Sequence, residues 1–404
     1  MSIDSVASAS PYISRASGQR GGRTHGGILH LLRRLDQRAE ARMAIEFAAA
    51  FADLGGRAAI AYHGAGATHE LHRHGIQPIE IKLDGRAPFS GIAAAKRLAK
   101  LISENAFGLL HAHGLGLLPI AQAAAAEAGV KLAVDFNADP SRIAHLTKRQ
   151  RAALEQADVV TVISEQTWRE LTDAMPALRA RTRIVPFGID CARFDPGQVT
   201  AHRVIHLARQ WRVPDDRPVV MLPGRFAKAR GHGLLIEGLS LIRDVDLRCI
   251  MVGPDADGPG YRRQLGKEIA QLGLADRVLL AEECRDMPAA FMLADVVMAP
   301  HIEPGVHNRA IMEAMALGRP IVATDFPVSR ALLARNEMAW ITAPGDAMGL
   351  SWAIREALAL PHAKREALSL RVIESHRDSL GREQMCAAAL DLYQSLQPEV
   401  VAAA

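Results

Sequence analysis

The sequence predicts an α/β protein built from two doubly wound, Rossmann-like domains that face each other. Three observations carry that expectation. Short apolar runs rich in β-branched residues alternate with amphipathic helical stretches along the chain. The runs are apolar on both faces, as strands of a helix-covered parallel sheet must be. They also fall into two series, separated by a joint near Phe187-Gly188-Ile189-Asp190 and the Asp195-Pro196 loop.

In order, the first series has strands expected at Gly27–Leu35, Arg57–His63, Pro78–Leu83, Leu109–His113, Lys131–Phe136, Asp158–Ile163 and Arg183–Pro186. A helix expected over Gln37–Leu54 stops at Gly55-Gly56, where a left-handed residue ends a helix at low cost. The second series is expected at Pro218–Leu222, Leu247–Val252, Val278–Ala281, Asp295–Ala299, Pro320–Thr324 and Ala339–Ile341. The resulting division is a disordered leader over 1–24, a first domain over 25–188, a second over 189–378, and a last helix with its tail over 379–404. Ligands of such folds bind where the carboxyl ends of the strands meet, so function is expected in the loops after strands of both halves.

Composition narrows the class. With 404 residues, 49% hydrophobic and 23% charged, the chain has core enough for two or three domains. Four cysteines (Cys191, Cys249, Cys284, Cys386) form no Cys-x-x-Cys pair, which removes a zinc ribbon or redox pair and suits a reducing cytosol. The longest apolar stretch, Gly114 to Ala126, is too short to span a bilayer, and no secretory h-region is present. Residues 1–188 hold 23 Lys+Arg against 17 Asp+Glu, whereas the remainder holds 25 against 27. A basic first half suits an anionic acceptor or peripheral contact with acidic lipid, and a merely solvated surface would look the same. Nucleic acid is not expected, because aromatic residues are only 4% and no basic stripe interleaves with them.

Three segments of the second half carry chemistry. Pro223-Gly224-Arg225-Phe226-Ala227-Lys228-Ala229-Arg230-Gly231 follows a strand, and its two guanidinium groups could clamp a diphosphate bidentately. Alone it also fits a solvated basic loop. Asp255-Ala256-Asp257 lies in a Gly/Pro/Asp-rich loop and reads as turn chemistry, not as a metal site. Pro304 to Asp325 runs from loop to helix to Gly318 to a buried strand. Its helix start near Asn308 offers free N–H groups to an anion, and Glu313 one turn on could accept ribose hydroxyls.

Together these segments resemble glycosyltransferase family 4, the GT-B class of retaining, nucleotide-sugar-dependent enzymes. Val185-Pro186-Phe187-Gly188-Ile189-Asp190-Cys191-Ala192-Arg193-Phe194 is similar to the family's hinge signature. Arg225 and Arg230-Gly231 match its diphosphate-holding Arg and Lys-Gly pair. Asp286-Met287-Pro288 resembles the base-binding loop, and Glu313-Ala314-Met315-Ala316 through Thr324 the family's most specific stretch. The resemblance implies that Arg225, Arg230, Asp286, Met287, Gly305, Val306, His307, Asn308 and Glu313 hold the donor. It also implies a last helix, Arg382–Leu396, that crosses back over the first domain. No cofactor or metal is expected, since cationic side chains and the helix dipole would stabilise the departing diphosphate. The pattern is nearest to bacterial enzymes that build lipopolysaccharide or other surface glycans, which work at the cytoplasmic side of the membrane.

Three features depart from that family. Its Glu-x7-Glu motif would place a carboxylate at Gly305, and Glu303 stands two residues off register as a substitute. Its Gly-Gly turn after the first strand is replaced by Leu35 to Arg42, without glycine. Its His after the fifth strand is replaced by Asn137, which hydrogen-bonds but does not titrate. His111 and His113 end the preceding strand and are expected on the cleft side, as compensation or as packing. Two readings follow. One is a transferase acting on a nucleotide-sugar donor and a glycan or lipid-linked acceptor. The other is a catalytically lapsed relative that binds a nucleotide or a partner glycosyltransferase as a scaffold. A dehydrogenase is set aside, because no Gly-x-Gly-x-x-Gly follows any strand.

Overall fold

The computed structural model describes residues 26–35, 39–64, 66, 68–83, 90–136, 140–256, 258–282, 284–304, 308–334, 336–377 and 381–397. The expected leader, together with Asn137, Gly305, Val306, His307 and Arg38, lies outside the described residues.

Seven strands form the first sheet: β1 (Gly27–Leu31), β2 (Ala58–Tyr62), β3 (Gln77–Glu80), β4 (Phe107–His113), β5 (Lys131–Asp135), β6 (Val159–Val162) and β7 (Thr182–Ile184). Their spatial order is β3-β2-β1-β4-β5-β6-β7. Six form the second: β8 (Val219–Pro223), β9 (Arg248–Val252), β10 (Val278–Ala281), β11 (Val296–Ala299), β12 (Ile321–Thr324) and β13 (Ala339–Thr342). Here the order is β10-β9-β8-β11-β12-β13. Every pairing is parallel. Parallel strands need crossovers, and helices supply them, so both faces of each sheet are covered and central strands such as β8 and β12 are buried throughout. In each sheet the order reverses beside the first strand of its series, which sets a crevice at the carboxyl ends of β1/β4 and of β8/β11. Each expected strand is present, with ends shifted by a few residues.

The helix after β1 runs over Ala39–Asp53, and the following Gly55 has φ 87°, the left-handed stop that the Gly-Gly pair implies. The last helix, Arg382–Leu396, does cross back to the first domain. Met385, Ala389, Leu392 and Tyr393 are buried in a core shared with Phe47, Phe51 and β1. Polar contacts fix its start at the joint. Arg382 N–H donates to the Ile189 carbonyl at 2.8 Å, and its guanidinium reaches Glu46 at 3.3 Å. The helix therefore belongs to the core of the domain it crosses to.

Candidate functional site

The loops after β8, β9 and β11 build the first part of the site. Gly224 N–H donates to the Val252 carbonyl and Phe226 N–H to the Pro254 carbonyl, which lays the β8 loop along the β9 loop. Gly253 sits at φ 154° with Gly224's carbonyl 2.1 Å from where a Cβ would lie, so the two loops pack without side chains between them. Arg262 pins this junction. Its guanidinium lies 3.9 Å from the Phe226 ring centroid and donates to the Gly253 carbonyl at 2.8 Å, the Ala281 carbonyl at 3.1 Å and Asp255 at 2.8 Å. Asp255 is thereby used in an ion pair, and Asp257 lies outside the described residues.

A short turn, Lys228–Arg230, then leads through Gly231 (φ 76°) into the helix His232–Ser240. At Gly231 a Cβ would stand 1.7 Å from the Pro300 carbonyl oxygen, so only glycine lets the turn approach the β11 loop. Ile302 N–H closes the approach by donating to the Ala229 carbonyl at 3.0 Å. This places Arg230 against His301, with Nη1 donating to Nε2 at 3.0 Å. Burial, then Arg225, lower the Arg230 pKa to about 10. Burial, then Arg230 and His232, lower His301 to about 3, so its ring is neutral and accepts the bond. Arg225 and Arg230 thus stand close together as two cations at a strand-end turn. The bonds found for Arg230 include no carboxylate among the described residues.

The helix Arg309–Ala316 is buried along most of its length, and Glu313 is buried with it. Arg309 Nε donates to Glu313 Oε1 at 2.6 Å. Burial raises the Glu313 pKa, against the pull of Arg309, Arg193 and Arg42. Glu313 is therefore an interior carboxylate, not a surface cap, and it senses cations from both domains. Asn308 precedes this helix without capping it through its side chain; Nδ2 donates to Ser329 Oγ at 3.3 Å, and Oδ1 has no partner among the described residues. Glu303 is exposed on the loop before it.

Asp286 and Met287 lie elsewhere in the second domain. Asp286 caps the helix Met287–Leu293 by accepting from Ala289 N–H, and it takes a two-pronged bond from Arg203 at 2.9 and 2.6 Å. Those bonds, Arg203 foremost, hold its carboxyl below the usual range. Its side chain is committed, so any base contact from this loop falls to backbone groups. Met287 packs on the domain core. A groove of about 950 Å³ opens beside Asp286, lined by His202, Arg203, His206, Cys284 and Arg285 among others. Neither Arg225, Arg230 nor Glu313 lines it, so size does not mark it as the donor site.

A smaller cleft of about 410 Å³ lies at the joint, lined from the first domain by Arg42, Glu46, Glu70 and Arg73, and from beyond it by Asp190, Arg193 and Arg309. Arg42 is not a solvated helix arginine: it is held by both oxygens of Glu70 at 2.7 Å and by Glu46 at 3.2 Å. Arg193 influences both Glu313 and Asp286, and so links the two parts of the site electrostatically.

His111 and His113 are at 0% and 3% exposure. They do not face the cleft, as the sequence reading expects, but turn into the first domain beneath the crossing helix. His111 Nε2 meets Asp135 Oδ1 at 2.8 Å, His111 Nδ1 meets the Tyr393 hydroxyl at 2.8 Å, and His113 Nε2 meets His30 Nδ1 at 2.9 Å. Burial pushes Asp135 up, yet His111 and His113 hold its carboxyl well below the usual range. Burial lowers both His30 and His113. Sequence reasoning missed His30, Tyr393, His301, Arg193 and Arg262. The period-two spacing of His111 and His113 on a strand was the one available signal.

Comparison with known proteins matches both halves. The family described as Glycosyltransferase Family 4 matches residues 41–193, and that described as Glycosyl transferases group 1 matches residues 217–359. The D-inositol 3-phosphate glycosyltransferase of Salinispora tropica is 26% identical over 254 residues, covering 60% of this chain and 52% of that protein. The lipopolysaccharide core biosynthesis glycosyltransferase LpsE of Rhizobium meliloti is 25% identical over 257 residues, 63% of this chain and 67% of that one. The chain spans about half the length of the inositol phosphate glycosyltransferases it matches. Among solved structures, a glycosyltransferase from Rickettsia africae has a TM-score of 0.81 at 20% identity, over 92% of this chain and 98% of its own. Anabaena Alr3699/HepE in complex with UDP and glucose has a TM-score of 0.80 at 20% identity, over 92% and 100%. Among the described residues, no helix is long and apolar enough to cross a membrane. With the Glycosyltransferase Family 4 model matched in the first half, the Glycosyl transferases group 1 model matched in the second, and the fold shared with solved glycosyltransferases across nine-tenths of its length, the chain carries two glycosyltransferase domains in the GT-B fold.

Proposed function

We propose that this chain transfers a sugar from a nucleotide-sugar donor to a glycan or lipid-linked acceptor, with retention of anomeric configuration. The observation that carries the reading is the Arg225–Arg230 pair, two cations drawn together at a strand-end turn. Such a pair suits a dianion, and a nucleotide diphosphate supplies one. In this reading the bond between the anomeric carbon and the diphosphate oxygen breaks, and its electron pair stays on the diphosphate. Arg225 and Arg230 stabilise that developing charge, as preorganised donors do. The acceptor hydroxyl attacks from the same face, and its proton passes to the departing phosphate oxygen.

Glu313 would receive the donor ribose, with Arg309 bonded to its carboxylate and opposing the effect of burial. Asn137 and Glu303 are the residues proposed to address the transferred sugar where the family has a His and a Glu. The backbone around Asp286-Met287 and the loop at Gly305-Val306-His307-Asn308 complete the donor contacts. No cofactor or metal enters this scheme. The basic first domain would take a surface-glycan or lipopolysaccharide acceptor at the cytoplasmic face of the membrane, with acidic lipid as peripheral support. That Alr3699/HepE was solved with UDP-glucose, and that a relative is a lipopolysaccharide core enzyme, supports this reading over a lapsed scaffold.

Calorimetry with UDP, GDP and ADP, on the wild type and Arg225→Ala, tests it. One nucleotide is expected to bind and to be lost at least tenfold in the variant, followed by turnover of the matching sugar nucleotide. Absence of binding by all three, in folded wild type, would overturn the donor site. Binding without turnover across a donor panel would favour the scaffold.

A further inference from the structure

We propose that His30, His111 and His113 form a closed binding site for one transition-metal ion of the zinc class, joining the first sheet to the crossing helix. Strand geometry brings the three rings together. His30 on β1 lies directly across from His111 on β4, and His113 follows two residues later on the same face. Each ring offers a nitrogen within 4.8 Å of the others, and all three residues are buried to 3% exposure or less.

The second observation is how the rings are oriented. The Asp135 carboxylate takes His111 Nε2 at 2.8 Å and stands 2.5 Å from His113 Nδ1, while also accepting from the Thr161 hydroxyl. A carboxylate binds N–H groups, so the His111 contact assigns that ring's proton to Nε2, while His113 Nδ1 and Asp135 Oδ2 meet as a close contact without hydrogen-bond geometry. The lone pair of His111 Nδ1 therefore points away from Asp135, and His113 Nε2 lies on the opposite edge of its ring from Asp135. That arrangement is the one found behind metal-bound imidazoles, where a carboxylate fixes the tautomer and raises the ligand's basicity. His113 Nε2 faces His30 Nδ1 at 2.9 Å, and His111 Nδ1 faces the Tyr393 hydroxyl at 2.8 Å. Two tetrahedral ligands at about 2.05 Å from zinc lie roughly 3.4 Å apart, so the His30–His113 pair needs to open by only about half an ångström. Tyr393 Oη, 2.8 Å from His111 Nδ1, is the oxygen nearest to the three rings' open edge, and taking the fourth position would require that pair to open by a similar amount.

The third observation is charge. Asp135 is wholly buried, and the bonds found for its carboxylate come from neutral-capable imidazoles and a hydroxyl, with no Lys or Arg among them. A buried anion asks for positive charge, and a divalent ion supplies it. Because no ligand is exposed, the site is structural: it has no open position for substrate. It is separate from the donor residues, so its test does not depend on the donor reading.

The experiment uses full-length protein with any affinity tag removed. Elemental analysis of protein from zinc-supplemented culture is expected to give about one zinc per chain. After chelation and dialysis, cobalt(II) is expected to restore one equivalent with the intense visible absorption of a four-coordinate ion. Tm is expected to rise with zinc concentration and fall on chelation. Asp135→Asn is expected to weaken affinity by about 10–100-fold, and His30→Gln or His113→Gln to abolish the cobalt spectrum. His202 and His206, one turn apart on the surface helix Ala201–Gln210, are the control, since such a pair can collect metal adventitiously. The His202→Gln/His206→Gln double variant is expected to retain the bound ion. Folded wild type with no stoichiometric metal and no four-coordinate cobalt spectrum would overturn the proposal. So would metal lost with His202 and His206 but kept in His30→Gln. The wild-type spectrum decides the matter even where a histidine variant fails to fold.

Discussion

Replacing Arg230 with methionine separates a binding residue from a structural one, because the two roles predict opposite signs for the stability of the empty protein. Burial, then Arg225, lower the Arg230 pKa from its ordinary value to about 10. At about 1.36 kcal/mol per unit, roughly 3 kcal/mol is set against the cation in the fold. The side chain keeps some accessible surface, so about 1–3 kcal/mol is the usable range. The sign follows from linkage. The folded-state pKa lies below the unfolded one, so the cost is present in full throughout neutral pH and begins to lift only as pH rises past about 10. Methionine removes that cost and keeps most of the volume. Against this stands the lost bond to His301 Nε2 at 3.0 Å, about 1 kcal/mol. The net expectation for Arg230→Met is no loss and up to about 2 kcal/mol of gain, or a Tm higher by a few degrees. Nucleotide diphosphate affinity is expected to move the other way. Charge-assisted hydrogen bonds are worth about 1.5–3 kcal/mol each, so losing two weakens binding by about a hundredfold or more. Thermal scans with and without the preferred nucleotide, with calorimetry, read both quantities. A Tm lower by several degrees with unchanged nucleotide affinity would refute the reasoning.

Three further outcomes are expected. His301 is neutral down to about pH 3 in the fold but ordinary when unfolded, so stability falls as pH drops from about 6.5 toward 3; His301→Gln should flatten that limb in urea titrations at pH 7 and pH 4. Gly231→Ala puts a Cβ 1.7 Å from the Pro300 carbonyl oxygen at a left-handed φ of 76°, and should cost about 3 kcal/mol or more, read as the urea midpoint. Wild-type stability in that variant would show that the β8 and β11 loops separate easily. Burial raises the Glu313 pKa, so nucleotide affinity should weaken on acidification at a higher pH than an ordinary carboxylate would give. Glu313→Gln should bind about tenfold more weakly and lack that limb; an identical pH profile in both proteins would remove Glu313 from the site.

The residues that sequence could place are those whose neighbours are local. Strand β12, expected over Pro320–Thr324 and found over Ile321–Thr324, is legible because an apolar run follows Gly318 and Arg319, and the turn at Gly318 stops the helix before it. The Gly224 to Gly231 turn likewise announces two cations near a strand end. What it cannot announce is their state. Arg230 is separated from His301 by 71 residues, and Arg203 from Asp286 by 83. Whether a charge is spent in a pair or kept for a ligand depends on such partners. Asp286, flagged with the base-binding loop, is spent on Arg203 and its own helix. Arg42, on the helix after β1, is clamped by Glu70.

The sequence by itself determined the two parallel sheets, because backbone periodicity, glycine stops and apolar runs act over a few residues; the return of the last helix is what the family resemblance implies. Only the tertiary structure decided that His111 and His113 turn away from the cleft. A histidine at a strand end can face either solvent or core, and period-two alternation does not say which. The crossing helix settles it, by bringing Tyr393 to His111 across 282 residues and closing the apolar shell of Phe47 and Phe51 over the rings. The cluster of His30, His111, His113 and Asp135 exists because packing buries four polar groups on one sheet face, where the loss of water obliges them to find one another.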